Sequence, residues 1–188
     1  MMNNNKFEYF LNAVHYCIWL NDMKFGDFMG RIVNTLFSPI PKYLFTKEYK
    51  KNYYERLSEE QKKIDKFFYD KEIGYHIAWA HHWFGYFYSG YFMFLSFVLL
   101  GIPDGIFGGV NLIVATAIIA LPIALGYIPA YRAVFSKDHY LKYFKQFEKE
   151  NEQWHKKWKM ITWVFCIGSV VFTIGGIFAM WGVSLLFR

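Results

Sequence analysis

Three long runs of uncharged residues dominate the pattern of hydrophobic and polar positions along the chain. Residues 73–103, 105–131 and 160–187 contain no Asp, Glu, Lys or Arg over 31, 27 and 28 residues. About 20 apolar residues in a helix span a hydrocarbon core roughly 30 Å thick. The pattern predicts an all-α integral membrane protein with three transmembrane helices, at about 77–101, 106–131 and 160–186.

The first two runs are separated by Gly101-Ile102-Pro103-Asp104-Gly105. Glycine and proline are the strongest local breakers of regular structure, and an acidic residue lies between them. This segment therefore predicts a tight turn that joins the first two spans as a hairpin. Together with the third run, these two spans make residues 73–188 a three-span transmembrane region.

Residues 1–72 show helical periodicity in two places, at 7–18 and at 25–36, with Asn21 and Asp22 between them. The pattern predicts a cytoplasmic N-terminal region with two amphipathic helices that lie against the membrane surface or a neighbouring subunit. Prolines at 39 and 41 end the second helix. Ser58 to Gln61 has the pattern of a capping box, from which a further helix could run towards the first span, with a hinge at Gly74.

The second polar loop carries aromatic residues at alternating spacings of four and three. Residues 137–158 therefore predict an amphipathic cytoplasmic helix. A helix that lies flat, with its aromatics in the lipid headgroup region, is favoured over a hairpin broken near 150–152, because no glycine or proline is available for a turn. The predicted interfacial residues are Tyr140, Phe144, Phe147, Trp154 and Trp158.

The net charge of +6 reflects basic residues that cluster on one side of the predicted spans. Of the 21 Lys and Arg, twelve precede the first span, eight lie between 132 and 159, and one is Arg188. Because basic loops remain in the cytoplasm, the N-terminus and the second loop are predicted there, and the C-terminus on the opposite side, of a bacterial inner membrane. Membrane topology accounts for these charges, so no nucleic-acid partner is expected.

One histidine cluster is the candidate for metal chemistry. His76, His81 and His82 lie in a seven-residue stretch that resembles the histidine boxes of membrane desaturases and hydroxylases, which bind two iron ions. Those enzymes carry several such boxes, whereas this chain has six histidines in total and one cluster. A bis-histidine haem needs ligands on two helices, and the second and third predicted spans contain no histidine. No cofactor and no catalytic residue is therefore expected.

Small residues recur at helical spacing in two predicted spans. Small side chains allow helix backbones to approach closely, and this close approach drives association within lipid. The predicted helix-packing residues are Gly168, Gly175, Ala179 and Gly182 in the third span and Thr116, Ala120 and Ala124 in the second. They could pack within one chain or between subunits.

These features favour a non-catalytic structural or assembly subunit of an oligomeric or multi-protein membrane complex. Its expected partners are membrane lipid and either further copies of the chain or other membrane-complex subunits. An oligomeric channel or a membrane-perturbing effector is the alternative, because of the glycine repeat and the hydroxyl-bearing span faces. A metal- or haem-dependent membrane oxidoreductase that uses His76, His81 and His82 is the second alternative.

Overall fold

The computed structural model describes residues 5–37, 63 and 65–188, and these residues form helices and no strands. The helices are α1 (Lys6–Phe37), α2 (Tyr75–Phe107), α3 (Leu112–Val134), α4 (His139–Phe147) and α5 (Glu152–Leu186). A short 3-10 turn, Ser136–Asp138, joins α3 to α4. The predicted helix stop at 39–41 and the predicted capping box at 58–61 lie outside the described residues.

Helices α2, α3 and α5 are long and apolar enough to cross a membrane. This confirms the predicted all-α integral membrane fold with three spans. The chain divides into two compact units, a larger unit of residues 1–17 and 82–188 and a smaller unit of residues 18–81. The first residues of α1 thus belong to the same unit as most of the membrane-spanning residues.

In the larger unit, α2 contacts both of the other spans. The Ser96 hydroxyl donates a hydrogen bond of 3.0 Å to the Ile119 carbonyl of α3. The Tyr91 hydroxyl donates one of 2.7 Å to the Phe165 carbonyl of α5, and the Ser184 hydroxyl of α5 donates one of 2.7 Å to the Asp104 carboxylate. Polar side chains therefore join α2 to its neighbours at several depths.

The predicted turn at Gly101 to Gly105 is wrong, because α2 continues through Pro103 to Phe107. The chain turns instead at 108–111, where Gly108 and Gly109 have φ values of 68° and 154°. A Cβ on Gly101 would lie 2.6 Å from the Met180 carbonyl oxygen of α5. The glycine therefore lets α5 approach α2 closely. Proline is tolerated inside such a helix because neighbouring helices satisfy the backbone groups that it frees.

The predicted break at Asn21 and Asp22 is also wrong, since α1 is one continuous helix. Asparagine and aspartate lower helix propensity only modestly and do not stop a helix by themselves. All nine residues from Leu11 to Trp19 are buried. That part of α1 is surrounded by protein, so the predicted position against the membrane surface does not apply to it.

The predicted flat helix over 137–158 is wrong, and the chain adopts the hairpin alternative. Helix α4 ends at Phe147, and α5 begins at Glu152 and runs without interruption through the third span. The Asn151 side chain accepts a hydrogen bond of 2.8 Å from the Trp154 backbone N–H. This N-cap starts α5 and provides the helix boundary without glycine or proline.

Before α2, residues 65–69 are helical and residues 70–74 form a turn. The Asp70 carboxylate accepts hydrogen bonds of 2.7 Å and 3.1 Å from the backbone N–H groups of Glu72 and Ile73. These bonds hold the pKa of Asp70 below its usual value. The turn at 70–74 separates this helical segment from α2 and contains Gly74, the position at which the sequence predicts a hinge.

Candidate functional site

A core of aromatic rings joins α1 to the spans in the larger unit, and His15 lies at its centre. His15 is fully buried. Its ring centroid lies 5.3 Å from Phe144, 5.5 Å from Phe84, and 5.6 Å from both Phe135 and Tyr140. Phe84 belongs to α2, Phe135 follows the end of α3, and Tyr140 and Phe144 belong to α4, so rings from three segments enclose the His15 imidazole of α1.

Asn12, one turn before His15, connects α1 directly to the end of the second span. Its fully buried amide donates hydrogen bonds of 2.8 Å to the Glu8 carbonyl and 3.0 Å to the Ala133 carbonyl. Ala133 lies in the last turn of α3, where helix carbonyls lack intrahelical partners. The Asn12 side chain thus provides a donor to the C-terminal end of a membrane span.

The predicted interfacial aromatics contribute to this aromatic core. Tyr140, Phe144 and Phe147 are buried within the larger unit, which replaces their predicted headgroup position with a position in the protein core. Trp154 is partly buried, and its indole N–H donates a hydrogen bond of 2.9 Å to the Tyr9 hydroxyl. The Trp158 ring lies 5.7 Å from Tyr9. The α4 to α5 hairpin therefore closes over α1 through its aromatic face.

Two tyrosines of this core should ionise only at high pH. Burial, reinforced by Glu148, raises the pKa of Tyr16 from 10 to about 12, and burial, reinforced by Glu8, does the same for Tyr143. Because their folded-state pKa values are raised, these tyrosines contribute stability that is present in full below pH 10 and is lost as the pH rises towards 12.

We therefore expect late tyrosinate absorbance from Tyr16 and Tyr143 in an alkaline titration, together with loss of the packed core. The measurement compares the wild type with the double variant Tyr16→Phe and Tyr143→Phe. In chemically denatured protein both groups should titrate at about 10. Equal titration of the two residues in folded and denatured protein would contradict their burial.

In the smaller unit, His76 is buried and held by a carboxylate. Its Nδ1 lies 2.7 Å from the Asp22 Oδ2. A Cβ on Gly26 would lie 2.5 Å from the His76 Cε1, so a glycine is needed where the imidazole crosses α1. The Tyr69 hydroxyl, from the segment before α2, donates a hydrogen bond to the Asp27 carboxylate of α1. The first candidate metal ligand thus contacts a carboxylate and connects α1 to the start of α2.

The other two candidate ligands differ in their surroundings. His81 is half-buried in the smaller unit, whereas His82 in the larger unit is exposed, with its ring centroid 4.5 Å from that of Tyr86. Within residues 5–37 and 65–188, no group of three or more His, Cys, Asp or Glu side chains could hold a metal ion. The structure thus provides no geometry that groups His76, His81 and His82 around one ion.

The small residues predicted for helix packing separate into contacting and open positions. A Cβ on Gly168 would lie 2.7 Å from the Tyr91 hydroxyl, whereas Gly175 and Gly182 have no atom within 4 Å of theirs. Ala179 is half-buried, and Thr116, Ala120 and Ala124 are exposed on α3. Further close approaches of α2 and α5, which the sequence does not predict, lie at Gly90, Gly101, Gly105 and Gly176. The four-residue spacing of Gly101 and Gly105 is the sequence signal that would have found part of this interface.

Besides the open small-residue positions of α3 and α5, an exposed apolar face lies on the C-terminal half of α1, in the smaller unit. Its six large side chains are 38 to 66% exposed. They recur at helical spacing, so they form one face, which we call the α1 apolar face. It consists of Phe25, Phe28, Met29, Ile32, Val33 and Leu36.

Known proteins provide no analogy for these surfaces. No family model, curated protein or solved structure matches this chain. Function is therefore inferred from the aromatic core, the open span faces and the α1 apolar face.

Proposed function

We propose that this protein is a non-catalytic structural or assembly subunit of an oligomeric or multi-protein membrane complex. The α1 apolar face is the observation that carries the proposal. Exposed apolar side chains on a span are accounted for by lipid, but α1 is not among the three helices that could cross a membrane. A contiguous apolar patch of this kind marks an interaction surface.

The charges around the α1 apolar face favour a protein partner over the membrane surface. Helices that lie in the headgroup region have a polar face rich in Lys and Arg. From Leu20 to Phe37, α1 carries Lys24 and Arg31 but also Asp22 and Asp27, so its net charge is zero. The face therefore lacks the basic surplus that would attract it to anionic lipid.

Open small-residue positions provide a second contact surface within the bilayer. Gly175 and Gly182 have space for a neighbouring backbone, and the exposed stripe on α3 presents Thr116, Ala120 and Ala124. Interfaces between membrane helices are enriched in such residues. The partner in this proposal is a second copy of the chain or another membrane-complex subunit. The complex lies in a bacterial inner membrane, with the N-terminus cytoplasmic.

Introducing a charge on the α1 apolar face should abolish assembly. We expect Ile32→Glu to lower the crosslinked fraction in intact membranes at least about tenfold. Burying an unpaired carboxylate in an apolar interface is costly. A cost of about 1.4 kcal/mol already lowers the association constant tenfold. The measurement is crosslinking followed by mass spectrometry of the captured species. Lys24→Gln, an exposed change on the same helix that lowers the charge equally, is the control and should assemble as the wild type does.

Two outcomes would reject the proposal. One is a wild-type protein that yields only monomer and no co-purifying protein under crosslinking. The other is an Ile32→Glu variant that inserts into membranes and assembles as well as the wild type.

A further inference from the structure

An open groove of about 430 Å³ lies in the larger unit, where the start of α1 crosses the end of α3. Its volume falls within the range of sites that bind small molecules, roughly 300 to 1,000 Å³. Half of the lining side chains are apolar, and the other half are charged or polar. The lining residues are Asn5, Phe7, Glu8, Ile128, Pro129, Arg132, Ala133 and His139.

The groove lies where the apolar surface of a span ends. Arg132 is the first charged residue after the uncharged run 105–131. Ile128 and Tyr131, just before it, are exposed on α3. Because uncharged helix surface faces hydrocarbon and the first charge marks the headgroup region, the groove lies at headgroup depth.

The groove is lined by side chains of both charges, Glu8 and Arg132. The Glu8 carboxylate lies 3.4 Å from the His139 Nδ1 and interacts with Tyr143. A carboxylate has about four acceptor positions, so Glu8 keeps capacity for a further donor. No carboxylate among the described residues forms an ion pair with the Arg132 guanidinium, whose planar donors match a phosphate in bidentate geometry.

We propose that this groove binds the headgroup of a phospholipid that carries both a phosphate and a primary ammonium, the chemistry of phosphatidylethanolamine. Arg132 binds the phosphate, and Glu8 accepts hydrogen bonds from the ammonium. Phe7, Ile128 and Pro129 contact the glycerol and the first acyl carbons. The trimethylammonium of a choline lipid has no N–H to donate to Glu8, and an anionic headgroup without an ammonium offers Glu8 no positive charge.

Bound lipid would connect two segments that are far apart in the sequence. Phe7 and Glu8 come from α1, whereas Ile128, Pro129 and Arg132 come from α3. A ligand that binds only the folded protein stabilises it in proportion to the logarithm of the ligand concentration over Kd. The lipid therefore adds to the contact that Asn12 makes with Ala133, and its binding can be detected as an increase in thermal stability.

The test uses the purified full chain in detergent, titrated separately with phosphatidylethanolamine, phosphatidylcholine and phosphatidylglycerol of matched acyl chains. Thermal unfolding and native mass spectrometry report binding. We expect phosphatidylethanolamine to raise Tm and to bind at least about tenfold more tightly than the other two lipids, a difference of about 1.4 kcal/mol. Glu8→Gln should remove this preference, whereas Arg132→Gln should weaken the binding of all three lipids, because each of them carries a phosphate.

Two further variants keep the test independent of folding defects. Arg132→Lys retains the charge but loses the bidentate geometry, so it should bind phosphatidylethanolamine more weakly than the wild type and more tightly than Arg132→Gln. Lys145→Gln on α4, outside the groove, is the matched control and should bind as the wild type does. Equal binding of all three lipids by the wild type, an unchanged preference in Glu8→Gln, or unchanged affinities in Arg132→Gln would overturn the proposal.

Discussion

Replacing Phe144 by alanine should lower the free energy of unfolding by about 3 to 5 kcal/mol, the usual cost of truncating a buried phenylalanine. Phe144 is fully buried. Its ring centroid lies 5.0 Å from Tyr16, 5.3 Å from His15 and 5.5 Å from Tyr140. The truncation leaves a cavity between α1 and α4 that the surrounding rings can fill only in part.

The measurement is reversible unfolding in detergent micelles, with Phe178→Ala as the matched control. Phe178 lies on α5 and is 61% exposed. Its truncation should change stability by no more than about 0.5 kcal/mol, as for other exposed positions. Equal losses in the two variants would contradict the placement of Phe144 in the core.

Two adjacent glycines on α5 should respond differently to the same substitution. A Cβ on Gly176 would lie 2.9 Å from the Phe94 Cα and 3.0 Å from the Phe97 Cδ2, whereas one on Gly175 would meet no atom within 4 Å. We expect Gly176→Leu to destabilise the chain by about 1 to 3 kcal/mol or more, because α2 and α5 must move apart.

Gly175→Leu should leave the stability of the monomer unchanged, so it serves as the control in the same unfolding assay. In the proposed assembly, this variant should change the crosslinking yield without changing monomer unfolding. A loss of stability in Gly175→Leu as large as that in Gly176→Leu would show that the faces of α5 are assigned incorrectly.

The three spans could be predicted because exclusion of charge from hydrocarbon is a strong and local constraint. Uncharged runs of sufficient length occur only where lipid or a deep core surrounds the chain. The prediction of the turn at Gly101 to Gly105 failed because glycine has two uses. It permits a positive φ, as at Gly108, and it permits close approach of another backbone, as at Gly101. Sequence alone does not distinguish the two uses.

The interactions of α1 could not be predicted because they depend on distant segments. The sequence shows an apolar periodicity around Leu11 and Val14, but lipid, a subunit or the chain itself could cover such a face equally well. His15 and Asn12 interrupt the apolar pattern, and part of their environment, Phe144 and Ala133, lies more than a hundred residues further along the chain. The end of α4 was predicted only as an alternative, because Asn151 is a cap and was interpreted as part of a helix face.

The hydrogen bond between Asn12 and Ala133 spans 121 positions of the chain, which has a consequence for biosynthesis. A ribosome that adds about 5 to 20 residues per second needs about 6 to 24 s between these two residues. During that interval the apolar surface of Leu11 to Trp19 emerges before Phe135, Tyr140 and Phe144 exist to cover it. The start of α1 must therefore remain unaggregated while two spans enter the bilayer, because its partners on α4 are synthesised only after both spans.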